Sequence, residues 1–195
     1  MAADEDRIRG IIRSSAWLMG VLRAVRQAGL PDAWVGAGVL RDLVWGELYG
    51  PGFTPGEVHD VDVAFFDPAE KSRRRDEQAT ARLLAAGPGI PWQARNQAAV
   101  HTWYSGKFGG EPVAPLLSVA DAVATWPETA TAVVVRLEPR GGTGIQICAP
   151  LGLGDLLGGV WRRNARRASL EVSLARLARH QPARRWPGVR VIPPS

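Results

Sequence analysis

Cysteine is almost absent. Cys148 is the only one, which excludes an intrachain disulfide and a cysteine-based zinc cluster. It lies in an apolar strand, where a buried, inert thiol is expected. Long apolar runs are missing too. The longest stretch without Asp, Glu, Lys or Arg is residues 141–154, 14 residues rich in glycine. A membrane-spanning helix needs about 20 apolar residues, so no membrane partner is expected. The chain opens Met1, Ala2, Ala3, Asp4, Glu5, Asp6, whereas a secretory signal starts basic and turns apolar. The expected compartment is therefore cytoplasmic. Lysine is scarce: Lys71 and Lys107 stand among 24 basic residues. Biased coding composition explains that as well as function does.

What is present is the composition of a globular chain. The 195 residues are 46% apolar and 22% charged, which suits one domain over residues 1–195 and not a disordered polymer. Charge is unevenly placed. Residues 1–159 carry 15 basic and 18 acidic side chains, a balance of −3, while residues 160–195 carry 9 arginines against Glu171, a balance of +8. A body at about 7–160 is thus followed by a basic segment at about 160–195. Such a segment is either a solvated helix or a holder of phosphates, in a nucleotide or a nucleic acid.

Apolar residues at three- and four-residue spacing, Ile8, Ile11, Ile12, Leu18, Met19, Leu22 and Val25, predict one helix over 7–28. A short buried strand follows at 33–35, then a helix over 39–48, a strand over 58–66 and a charged helix over 68–85. Further strands are expected over 92–100, 132–137 and 145–148, the last two forming a hairpin across Gly141, Gly142, Thr143 and Gly144. Short helices are expected over 119–125 and near Asp155, and a final one over about 168–180. Residues 182–195 read as a proline- and arginine-rich end. The mixed order predicts an α/β (α+β) fold with a small mixed sheet backed by helices.

Two local features carry chemistry. In Trp34, Val35, Gly36, Ala37, Gly38, Val39, Leu40, Arg41 and Asp42 a strand ends, small residues follow and a helix begins. Small residues let backbone amides approach a ligand, and a helix start offers unpaired N–H groups with partial positive charge, together a phosphate cradle. The same glycines also serve a tight turn on steric grounds alone. The second feature is Asp60, Val61, Asp62, Val63. Residues two apart on a strand share a face, so both carboxylates sit together. Such a pair repels unless a cation lies between, and magnesium favours one or two carboxylates plus phosphate oxygens. The alternative is two solvated acids on an exposed strand face.

In this order, Gly36 to Asp62 resembles the signature of the DNA polymerase β nucleotidyltransferase superfamily. The run from Ala37 to Gly46 is similar to the glycine-rich motif of tRNA nucleotidyltransferases. A closer resemblance is to a family of small bacterial nucleotidyltransferase-like proteins. Its pattern recurs in Asn96 to Tyr104, Trp126 to Ala132, Ala149 to Leu156 and Arg185 to Gly188, so that the likeness covers about residues 10–192.

The resemblance implies a polymerase-β-like fold with a C-terminal basic helix. It implies transfer of a nucleoside monophosphate from a nucleoside triphosphate to a hydroxyl or amine on a small molecule, protein or RNA. Asp60 and Asp62 would hold magnesium as the catalytic and metal-binding pair. Gly36, Gly38 and Arg41 would hold phosphates, with an ion pair of Arg41 to Asp42 or Asp60 as the alternative. His101 and Tyr104, with Trp103, would line an acceptor or base pocket or pack in the core. Trp161, Arg162, Arg163 and Asn164, extended by Arg166 and Arg167, would contact a phosphate or form a solvated basic helix. The superfamily's third carboxylate has no counterpart in residues 92–96 or 145–148. Glu128 and Asp155 are expected in caps or ion pairs. That gap supports a second expectation, a nucleotide- or nucleic-acid-binding module without efficient transfer.

Overall fold

Ser15 divides the N-terminal amphipathic stretch in two. In the computed structural model, which describes residues 2–108, 113–138 and 142–195, helices α1 (Ala2–Ser14) and α2 (Ala16–Ala28) meet there. The Ser15 backbone is extended, and its hydroxyl accepts the Leu18 amide at 3.2 Å. This N-cap satisfies a donor the new helix would leave orphaned. The helix expected over 7–28 is therefore two, because apolar spacing runs on through a break that only the cap marks.

Strand β1 (Trp34–Gly36) leads into α3 (Gly38–Tyr49); β2 (Val61–Phe65), α4 (Arg73–Ala86) and β3 (Trp92–Asn96) form a crossover unit. Next come α5 (Tyr104–Phe108), α6 (Val119–Val123), β4 (Val134–Leu137) and β5 (Ile145–Cys148). Last are α7 (Gly154–Leu157), β6 (Val160–Trp161), α8 (Leu170–His180), α9 (Pro182–Arg185) and β7 (Arg190–Val191). The main sheet has the order β3-β2-β1-β4-β5. Its β2–β3 pair is parallel and the other pairs are antiparallel. The expected small mixed sheet backed by helices is the one observed. The β4–β5 hairpin is present, and Gly141 of its expected turn lies outside the described residues.

Asn96 explains two boundaries. Its Oδ1 accepts the Ala98 amide, ending β3 and starting a 3-10 turn (Gln97–Thr102) where a longer strand was expected. Its Nδ2 donates to the Asp67 and Glu70 carbonyls, both at 2.8 Å, pinning the loop that delays α4 to Arg73. The strand expected over 58–66 is shorter, running from Val61 to Phe65 after a 3-10 turn at Pro55–Glu57. Cys148, on edge strand β5, is half-buried, and burial pushes its thiol pKa up.

One sheet face packs under α1 to α4 through Ile12, Leu18, Leu40, Val61, Val63, Phe65 and Leu83, all essentially without solvent contact. The other face is covered in part by Trp34, Ala64, Val119, Val123 and Val134. Where that cover stops, a cavity opens. The end read as irregular is held in place: β7 pairs in parallel with β6, and the buried Trp186 ring meets Trp45 edge-on at 5.2 Å. Among the described residues no helix is long and apolar enough to cross a membrane.

Candidate active site

The glycine turn divides its labour between two residues. Gly36 is sterically required: a Cβ there would lie 2.4 Å from Val134 Cγ1 and 2.6 Å from the Val133 carbonyl oxygen. It does not line the cavity. Gly38 does, with Ala37 and Val39 beside it. A Cβ on Gly38 would find its nearest neighbour, Arg41 Nη2, only at 3.7 Å, so packing does not demand glycine there. Ala37 has φ 58 and ψ −126, a left-handed backbone state. Its carbonyl accepts the Arg41 amide at 3.2 Å, and no side chain caps the helix. The first-turn amides of α3 thus lack intrahelical acceptors beside a cavity.

Register brings the acids to that turn. Asp62 pairs directly with Gly36 in the β1–β2 ladder. Asp60 stands one residue before β2, and its Oδ2 accepts from Gln93 Nε2 at 3.4 Å. Asp60 and Asp62 line the same cavity. The Asp62 carboxyl is pushed up to about 6, first by burial and then by the Asp60 charge; Arg176, Arg95 and Arg41 pull the other way. Asp62 is therefore not a solvated acid on an open face. On the parallel neighbour β3, Gln93 stands opposite Asp62 and Arg95 opposite Ala64. No cluster of three His, Cys, Asp or Glu side chains exists among the described residues.

The cavity measures about 870 Å³. Arg41 is buried, pairs with Asp42 at 2.6 Å, and packs its guanidinium against the Trp161 and Trp186 rings at 5.5 and 5.3 Å. Of the alternatives for Arg41, the Asp42 ion pair is the observed one, although its side chain still borders the cavity. Arg176 reaches in from α8, held by Glu128 at 2.6 and 2.9 Å. Glu128 is 2% exposed and also accepts from the Thr131 hydroxyl. Asp155 pairs with Arg162 at 2.8 Å. Both acids are thus in ion pairs, as expected. His180 stacks on Trp161 at 5.5 Å, and burial together with Arg41, Arg176 and Arg179 drives its pKa down to about 3. Tyr104 and Trp103 line the cavity; His101 does not, and its Nδ1 is buried without a hydrogen-bond partner among the described residues.

The basic segment splits. Arg162 serves its ion pair, and Arg163 donates to the Ala168 carbonyl. Arg167, Arg176, Arg179 and Arg185 turn to the cavity.

An acid pair, an uncapped helix start and several arginines thus meet in one cavity. Residues 23–191 match the profile of a family described as nucleotidyltransferase. The chain belongs to this family. A solved NMR structure described as revealing a CCA-adding enzyme head domain is similar to this chain, with a TM-score of 0.77 and 28% identity. The match covers 96% of this chain and 95% of that one. No curated protein matches the chain.

Several residues lining this cavity escaped the sequence reading. Gln93 and Arg95 alternate on β3, and their register to β2 is a long-range property. Arg176 sits 48 positions from Glu128, and no local pattern joins them. A signal for Arg176 was available only in its place on the inner face of an arginine-rich helix.

Proposed function

We propose that the protein transfers a nucleoside monophosphate from a nucleoside triphosphate to a hydroxyl or amine acceptor, with magnesium. The observation that carries this reading is the meeting of Asp60, Asp62 and the uncapped first turn of α3 in one cavity. The amides of Gly38 and Val39 would grip the β- and γ-phosphates. Arg95 and Arg176 would face the polyphosphate charge, with Arg176 fixed by Glu128. The donor set fits magnesium: two carboxylates on one side of a cavity, one of them lifted to about 6 by burial and by the other. A cation between them removes that repulsion. When bound, the metal would neutralise phosphate charge and orient the triphosphate. The acceptor oxygen or nitrogen bonds to the α-phosphorus, the α–β bridging P–O bond breaks, pyrophosphate leaves, and the acceptor proton passes to water. The protein's part is positioning and charge complementarity.

The test is incubation with α-labelled nucleoside triphosphates, magnesium and a cell extract, followed by acceptor labelling and pyrophosphate release. The parent should label and Asp60→Asn with Asp62→Asn should not. Equal labelling would refute the mechanism. One observation favours a second reading, a nucleotide-binding module without transfer. Opposite Asp62 on the parallel strand stands the amide Gln93, not an acid. That reading predicts triphosphate binding with no pyrophosphate released.

A further inference from the structure

Six arginines line the cavity, and their counter-ions sort them. Arg41 and Arg185 share Asp42, at 2.6 and 3.1 Å. Arg176 has Glu128, and Arg95 lies 3.7 Å from Asp76. Arg167 and Arg179 have no ion-pair partner among the described residues. Arg179 is exposed, so water serves it. Arg167 is half-buried, with its guanidinium 4.9 Å from the Tyr104 ring centre. No hydrogen-bond acceptor meets that guanidinium among the described residues. Burial lowers its pKa, while Tyr104 and Asp121 act in the opposite direction. A guanidinium nevertheless remains charged, and a half-buried one whose N–H groups meet no acceptor is unfavourable.

Its place in the cavity separates it from the acid pair. The strongest charges acting on Asp62 are Asp60, Arg176, Arg95 and Arg41. Those acting on Tyr104 are Arg167 and Arg176. Asp60 and Asp62 stand at the start of β2, whereas Tyr104, which Arg167 overlies, follows the turn that leaves the far end of β3, the strand parallel to β2; Arg167 thus belongs to the end away from the acid pair. A cavity of about 870 Å³ is near the top of the ~300–1,000 Å³ range of small-molecule sites, with room for a second molecule beside a nucleotide.

We infer that Arg167, seated on Tyr104, is an anion subsite for the acceptor, which carries a phosphate or carboxylate group besides its attacking hydroxyl or amine. The inference rests on the nucleotidyl-transfer reading. A planar guanidinium fork pairs two-pronged with either anion.

The test is calorimetric titration of the full chain with inorganic phosphate and with acetate. Each is titrated alone and in the presence of saturating magnesium and a non-hydrolysable nucleoside triphosphate. Arg167→Ala, Arg167→Lys and the distant, exposed Arg82→Ala are compared, with circular dichroism checking the fold. The expected result is an anion affinity that survives triphosphate saturation. It should fall at least tenfold in Arg167→Ala, recover in part in Arg167→Lys and hold in Arg82→Ala, with triphosphate affinity in Arg167→Ala within about twofold of the parent. Displacement of the anion by triphosphate would overturn the subsite and assign Arg167 to the triphosphate. Equal anion binding by parent and Arg167→Ala would also overturn it. A parent that binds phosphate through Arg167 but no triphosphate would overturn nucleotidyl transfer and leave the subsite standing.

Discussion

Asp62→Asn should make the metal-free protein more stable at neutral pH. In the folded state burial and the Asp60 charge lift this carboxyl from 3.8 to about 6. An acid with a raised folded-state pKa favours its neutral form on folding. Below the unfolded pKa both states are protonated and nothing is lost. As pH rises through 4 to 6, ionising the buried group opposes folding, and above about 6 the penalty is complete. Roughly two pKa units correspond to about 3 kcal/mol. Asparagine keeps the shape without the charge, so urea unfolding in EDTA should show the variant more stable by about 2–3 kcal/mol at pH 7.5. The gap should close towards pH 4. His180 titrates in the opposite sense: with its pKa driven to about 3, the stability it contributes above 6.5 is lost on acidification. Its charge neighbours are Arg41, Arg176, Arg179 and Asp42, not Asp62, so its contribution cancels between variant and parent. Magnesium should stabilise the parent and not the variant. A variant no more stable at pH 7.5, or a gap that ignores pH, would refute this account of the acid pair.

Four further outcomes follow. Glu128→Gln leaves Arg176 without its counter-charge and should cost about 2–3 kcal/mol in urea unfolding; a loss under about 1 kcal/mol would show that the pair does not hold α8. Ala37→Gly relieves a backbone at φ 58 and should gain about 1 kcal/mol, read as a melting-temperature rise of ~2–4 °C; a fall would show that the turn is unstrained. Gly36→Ala drives a methyl into Val134 and should destabilise by about 2 kcal/mol or more. Gly38→Ala should fold as the parent does yet bind triphosphate about tenfold less tightly. Unchanged binding in a calorimetric titration would remove Gly38 from the phosphate grip.

Much of the site was legible locally. The strand, the small-residue turn and the helix at 34–49 announce themselves by breaker placement and apolar spacing. The alternation around Asp62 announces β2. What local patterns leave open is whether the acids face solvent, because that depends on which elements cover the second face of the sheet. Ser15 ends one helix and caps the next, a break that unbroken apolar periodicity hides. Strands β6 and β7 have two residues each and exist only through each other, so a proline- and arginine-rich end gives no warning of them. Asn96 shows the same limit. An Asn at a turn is a familiar signal, but its bonds to Asp67 and Glu70 bridge 29 and 26 positions.

The indole of Trp186 bears on how the chain can be handled. It touches Trp45 on one side and the Arg41 guanidinium on the other, and Arg41 lies in the opening turn of α3. The last stretch of chain is thereby a buttress for the helix end that faces the cavity. Clipping the chain before residue 186, or attaching a bulky fusion close behind it, would loosen the helix start beside the cavity rather than trim an ornament.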